Sequence, residues 1–277
     1  MIGEFIRYWT TPVPARVRNY GYLKRLIAIE FRERRRRAAW GPHLAHTRSY
    51  IVKAMDLVPR PRTAVVLGSG LLLDVPLEDL SERFETVYLV DIFHMPHVRK
   101  VVHAFHNVKL LTGDITGIFA AMKEGKTPDP RTPPPPALIP HIRDADLLVS
   151  CNCLTQLAGA FNDRFRKTQG FADADCDQLS AQVMEHHIAA LVKDAGGVSV
   201  LITDTQRVAM RGSDIVGRKD LLKTVRLPHS TNPKFDETWE WLIAPAPEEH
   251  PTRDYVHMVS ARIYERAAVA ETATTPT

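Results

Sequence analysis

The chain has 277 residues, 44% hydrophobic and 25% charged; these values exclude a disordered chain, a collagen-like repeat and a heptad rod, and suit one large domain or two small ones. No run approaches the roughly 18 consecutive apolar residues of a membrane span, Met1 to Thr10 lacks the apolar core of a secretory signal, and three cysteines, two of them (Cys151 and Cys153) one residue apart, make no disulfide framework, so a cytoplasmic, reducing location is expected. The net charge of +4 is uneven: residues 1–60 hold thirteen Lys or Arg against four Asp or Glu, and the rest of the chain carries −5.

Leu23, Ile27 and Phe31 recur every four residues and make one helical stripe. Arg34, Arg35, Arg36 and Arg37 follow it and fan over about 300° of a helix, so they share no face and are expected to close the helix, where cations suit the dipole. Gly41-Pro42 reads as a breaker, and a second helix runs through Leu44, Ile51 and Met55 until Pro59 and Pro61. Residues 1–60 thus form a basic helical extension, either a solvated surface or one that faces nucleic acid, an anionic substrate or a membrane.

After Pro61 strands and helices alternate. Strands are predicted at Thr63 to Leu67, Thr86 to Val90, Val108 to Leu111, Asp146 to Ser150 and Val198 to Thr203, with later strands at Trp239 to Ile243 and His257 to Ile263. Helices are predicted around Leu77 to Phe84, after Pro96, over Ile118 to Lys123, and through Leu179, Val183, Ile188 and Leu191, stopped by Gly196-Gly197. Residues 128–140 hold seven prolines and read as an extended loop; residues 267–277 read as a flexible tail. The alternation implies an α/β domain over residues 61–266, with a parallel sheet covered on both faces. In such a sheet the ligand lies beyond the carboxyl ends of the strands.

At those ends the chain places Gly68-Ser69-Gly70, then Asp91, then Gly113-Asp114. A tight glycine turn lets a ligand approach the backbone. Position 73, where a dinucleotide fingerprint has its third glycine, is Leu, which counts against a pyrophosphate. Asp91 can accept both hydroxyls of a ribose, and an acid at position 114 can accept from the exocyclic amine of adenine. Together they point to an adenosine-containing ligand.

The segments Val65-Val66-Leu67-Gly68-Ser69-Gly70, Val87-Tyr88-Leu89-Val90-Asp91, Gly113-Asp114 and Asp146-Leu147-Leu148-Val149-Ser150-Cys151-Asn152 resemble the class I S-adenosylmethionine-dependent methyltransferases over about three quarters of the chain. The resemblance implies a Rossmann-like, mostly parallel seven-stranded sheet with an antiparallel C-terminal hairpin, and S-adenosylmethionine as cofactor. It implies cofactor contacts from Gly68, Ser69, Gly70, Asp91, Ile92, Asp114, Ile115, Ser150 and Cys151, with Asn152 near the acceptor. Two positions depart from the family pattern: Val66 stands where an acid is common and Leu72 where a small residue is common.

Other constellations carry less chemistry. His94, His97, His103 and His106 project to different sides of a helix, which leaves His94 as a residue near the ribose. The cysteine spacing does not suit zinc. Asp173, Asp175 and Asp177 begin like a calcium loop, but Gln178 and Met184 replace its glycine and glutamate, and Asp177 is expected to cap a helix. Trp40, His43, His46 and Tyr50 form either a substrate lid, with His43 and Tyr50 as contacts, or packing against the sheet. The reading is a methyltransferase acting on a small molecule. RNA methylation, aminocarboxypropyl transfer from the same cofactor, a degenerate cofactor-binding scaffold and an NAD-linked oxidoreductase are the rivals.

Overall fold

The computed structural model describes residues 2–122, 129, 132 and 134–266; the predicted tail, part of the proline loop and Lys123 lie outside them. The chain opens with α1 (Ile2–Thr10), α2 (Ala15–Asn19) and α3 (Tyr22–Met55). It then alternates through β1 (Thr63–Leu67), α4 (Leu77–Arg83), β2 (Thr86–Asp91), α5 (Pro96–Val102), β3 (Val108–Thr112), α6 (Ile118–Ala121) and β4 (Leu147–Cys151). Two helices follow in succession, α7 (Gly159–Gln169) and α8 (Asp173–Ala189), before β5 (Val198–Arg211), β6 (Asp214–Asp220), β7 (Glu237–Ala244) and β8 (Asp254–Glu265).

The strands form one sheet in the order β3-β2-β1-β4-β5-β8-β7. The first five are parallel, while β8 runs antiparallel to β5 and β7 antiparallel to β8. This is the expected Rossmann-like sheet with a reversed terminal pair. An eighth strand, β6, pairs with the far half of β5. Every residue of β6 is exposed, so it lacks the alternating burial by which a strand is recognised in sequence.

The near-continuous apolar strands are explained by burial on both sides. Ala64 and Val66 of β1 and Val87 and Leu89 of β2 face a core shared with Leu23, Ile27 and Ile51 of α3, Leu80 of α4 and Val98 of α5. Val65, Leu67, Val90 and Leu148 face a second core with Ile118, Phe161, Phe165, Leu179 and Val183. The N-terminal helices are therefore built into the body of the molecule.

The structure corrects two local expectations. Gly41-Pro42 does not break the helix; two helical segments of α3 join in a kink at Arg36 (φ −120°, ψ 24°), and Pro42 lies inside the second of them. Tertiary packing offsets the hydrogen bond Pro42 cannot donate: Trp40 Nε1 donates to the Ile243 carbonyl at 2.9 Å, and Trp40, His43, Leu44 and Thr47 are buried. The arginine run lies at this kink, where one helical segment ends and the next begins, as expected from the sequence. There Glu248 draws it inward, accepting from Arg35 at 2.6 Å and Arg36 at 2.8 Å with Arg32 at 3.8 Å. Finally, Asp177 caps no helix: α8 begins at Asp173, where Asp175 accepts from the Ala172 amide, and Asp177 pairs with Lys223.

Candidate functional site

A cavity of about 750 Å³ opens beyond the carboxyl ends of β1 to β5, roofed by α3. Each turn that lines it is shaped locally. Gly68 (φ +68°) and Gly70 (φ +50°) take left-handed conformations, which a residue without Cβ adopts at no steric cost. The Gly68 amide donates to the Val90 carbonyl at 2.9 Å, which closes the turn over the end of β2. Asp91 Oδ2 accepts from the Gly70 amide at 2.8 Å, so the glycine turn and the β2 carboxylate form one unit. Burial pushes the Asp91 carboxyl up, opposed by that amide.

Asp114 organises the third turn. Its Oδ1 accepts from the Thr116 amide at 2.8 Å and the Thr116 hydroxyl at 2.5 Å, and its Oδ2 from the Phe119 amide at 2.8 Å. Asp91 and Asp114 both line the cavity, with Ile92 and Ile115 beside them. Tyr22, in the first turn of α3, lines it as well; burial and the negative charges of Asp114 and Asp91 hold its hydroxyl protonated far above the ordinary tyrosine range.

After β4, Cys151 and Asn152 line the cavity, and Asn152 is left-handed (φ 50°). Its Nδ2 donates to Asp74 Oδ2 at 2.7 Å and lies 3.2 Å from His43 Nε2. Trp239 Nε1 donates to His43 Nδ1 at 3.0 Å. An indole only donates, so neutral His43 carries its proton on Nε2. Burial lowers the His43 pKa to about 3; the ring is a neutral hydrogen-bonding wall at physiological pH, stacked on Trp241 with centroids 4.1 Å apart. With the Nε2 proton facing it, Asn152 can offer its unpartnered Oδ1 by turning its amide over, an arrangement compatible with protonated Asp74, and burial pushes the Asp74 carboxyl in that direction.

Not every residue singled out in the sequence reaches the cavity. Ser150 is fully buried beneath it, 2.8 Å from His187 Nε2. His94 is fully buried with Nε2 3.1 Å from the Leu111 carbonyl, and does not line the cavity. Tyr50 is buried on α3 and donates to the Phe235 carbonyl at 2.5 Å. His46 stacks on Trp239 and meets Glu237 at 2.9 Å. Leu72 is left-handed (φ 62°) and Val66 is buried in the α3-side core, so neither departure from the family pattern projects into the cavity.

Several lining residues carried no sequence signal. Asp74 sits in an irregular turn; Asp204 and His257 sit in strands whose apolar neighbours define the pattern. Asp204 Oδ2 lies 2.8 Å from His257 Nδ1, and Thr155 donates to Asp204 Oδ1. The expected strand ends stopped short of Asp204, because β5 continues for eight residues past Thr203.

No protein-family model and no curated protein matches the chain. Among solved structures it is similar to a DhpI complex with SAM and HEP at 14% identity, covering 84% of this chain and 95% of that one, with a TM-score of 0.38. It is similar to the Burkholderia thailandensis 1,6-didemethyltoxoflavin N1-methyltransferase with bound S-adenosylhomocysteine at 12% identity (90% and 91% covered, TM-score 0.34). It is also similar to the 23S rRNA methyltransferase ErmE at 11% identity (79% and 68% covered, TM-score 0.29). At these scores the fold rests on the strand order itself. That order, five parallel strands followed by a reversed terminal pair, is the Rossmann-like arrangement expected from the sequence resemblance.

Proposed function

We propose that the chain binds S-adenosylmethionine across the ends of β1 to β4 and methylates a small-molecule acceptor. The observation that carries this reading is that the glycine turn, Asp91, Asp114 and the residues after β4 line one cavity. Asp91 would take the ribose hydroxyls, Asp114 and Ile115 the adenine, and Gly68 to Gly70 the sugar and methionine backbone. Asp74 would supply, at the amino-acid end, the acidic side chain that Val66 does not, ionising when a cation is bound beside it.

The residues fit such a group. S-adenosylmethionine is a cation, and the cavity is lined by Asp74 and Asp91, whose carboxyls burial pushes up and a bound cation would draw back to the ionised form, while the buried Ser69 hydroxyl has no hydrogen-bond partner among the described residues. When bound, the cofactor supplies a methyl group already activated by its sulfonium; the protein's part is alignment and exclusion of water.

A small molecule is favoured over RNA because the run of four arginines in the basic segment is matched by acidic side chains of the protein itself. Arg34 pairs with Glu30, Arg35 with Glu4 and Glu248, Arg36 with Glu248, and Arg37 with Glu33. Calorimetry with S-adenosylmethionine tests the reading. The wild type is expected to bind, and Asp91→Ala to bind at least about 10-fold more weakly, as the loss of hydrogen bonds to a charged group requires. No heat with the wild type, or heat with NADH instead, would remove the reading. Release of S-adenosylhomocysteine rather than methylthioadenosine separates methyl from aminocarboxypropyl transfer.

A further inference from the structure

The sheet's reversed strands bring a histidine and a carboxylate together in the cavity wall. In the β5–β8 pairing Asp204 lies opposite Val259, and a register shift follows between Asp204 and Gln206, so that Arg207 lies opposite His257. His257 is two residues from Val259 and shares its face, a diagonal neighbour of Asp204. Such bulges re-aim side chains beside functional sites. Both residues line the cavity, and both are more than nine-tenths buried.

Their atoms suit proton transfer. Asp204 Oδ2 stands 2.8 Å from His257 Nδ1, with the ring turned off the line of a straight N–H···O bond, and the Thr155 hydroxyl occupies Oδ1. A turn of the ring would close the Nδ1–H···Oδ2 bond, which keeps the proton on Nδ1 and the lone pair on Nε2; Nε2 is buried and, among the described residues, has no hydrogen-bond partner. The charged and titratable neighbours are Asp204 and Arg207 from β5 and His43 from α3; Arg207 is directed to Glu249 and over the Tyr255 ring. From β7, Trp241 meets the His257 ring edge-on at 5.8 Å. The surrounding wall is aromatic and apolar, with Trp40, Leu44, Trp241, Ile243 and Tyr255.

We propose that His257, oriented by Asp204, is a general base and that the acceptor is an aromatic hydroxyl held against this wall. The inference rests on the methyl-transfer reading above. In the step, the hydroxyl oxygen forms a bond to the methyl carbon while its proton passes to His257 Nε2. The carbon–sulfur bond breaks, and its electron pair neutralises the sulfonium. The products are an aryl methyl ether and S-adenosylhomocysteine; the imidazolium, facing Asp204, later releases its proton to water. His43 cannot take this part, since its Nδ1 is occupied by Trp239 and its Nε2 already carries the proton.

4-Nitrophenol tests the base without the cofactor. At a pH about one unit below its own pKa, the dye bound to the wild type is expected to show the phenolate absorption band, and the dye bound to His257→Gln the neutral band. Asp204→Asn, a milder change, is expected to reduce the ionised fraction. In a second arm, methyl transfer to phenols of graded acidity is measured. His257→Gln should lose about 10²–10⁴-fold for weakly acidic phenols and little for one already ionised at the assay pH, a contrast that a purely structural role would not produce. Failure of the dye to bind the wild type, binding without ionisation, or equal ionisation in wild type and His257→Gln would overturn the proposal. Ionised dye in a protein that shows no heat with S-adenosylmethionine would instead overturn the cofactor reading and leave the base in place.

Discussion

Gly68 shows how narrowly a single residue is constrained here. A Cβ at this position would lie 2.7 Å from Cys153 Cβ and 2.9 Å from its Sγ, at a φ of +68°. The left-handed conformation alone costs an alanine about 1–2 kcal/mol, and the contact with Cys153 adds to it. Gly68→Ala is therefore expected to lower the urea midpoint and to weaken S-adenosylmethionine binding; an unchanged midpoint would mean that the turn relaxes freely. That Gly68, Gly70, Asp91 and Asp114 line the cavity was legible in the sequence because each sits within a few residues of a strand end. Ser150 and His94 share that position and still miss the cavity. The pleat turns Ser150 toward His187, and His94 folds back on the Leu111 carbonyl. Proximity in sequence to a strand end does not determine which side of the sheet a side chain takes.

At the scale of the element, α3 was the hardest to read. Its arginine run and Gly41-Pro42 look like a helix end followed by a break; a first helical segment does end in a kink at Arg36, within the run, but the second segment continues through Pro42. The partner of the run, Glu248, is more than two hundred residues away in sequence, with its side chain only 7% exposed. Glu248→Ala is expected to cost about 2 kcal/mol, the scale of hydrogen bonds to a charged group, discounted because the arginines are partly exposed. It should also raise hydrogen exchange in the middle of α3 more than at Met55; uniform exchange along the helix would show that Glu248 does not anchor it. In β5 and β8 the sequence marked the apolar centres of both strands and not their ends. The extensions that carry Asp204 and Arg207 contain polar residues that pair only once β8 has docked beside β5.

Across the whole molecule, two buried histidines set a pH limit on stability. Burial holds His43 near pKa 3 and His187 near pKa 4, both below the ordinary value of 6.5. Each is neutral in the folded protein and protonates on unfolding below pH 6.5, so the unfolded chain binds more protons in that window. Stability is then at its full value above about pH 6.5 and is withdrawn as pH falls toward 3–4, by about 1.4 kcal/mol per unit for each ring. Urea unfolding at pH 7 and pH 5 measures this, and His43→Gln or His187→Gln should each flatten the dependence by about one proton. A dependence unchanged in both variants would show that other groups govern acid unfolding.

The sequence by itself determined the strand-helix alternation, the two-faced burial of the sheet and the row of polar residues at its carboxyl edge. These follow from apolar periodicity and from turn chemistry, which act over a few residues. Only the tertiary structure decided that α3 roofs the cavity, that Glu248 gathers the arginines, and that Asp204, His257, Asp74 and His43 meet the glycine turn. Those pairings join segments far apart in the chain, and their energy comes from burial and matched charge that exist only once the sheet has brought them together.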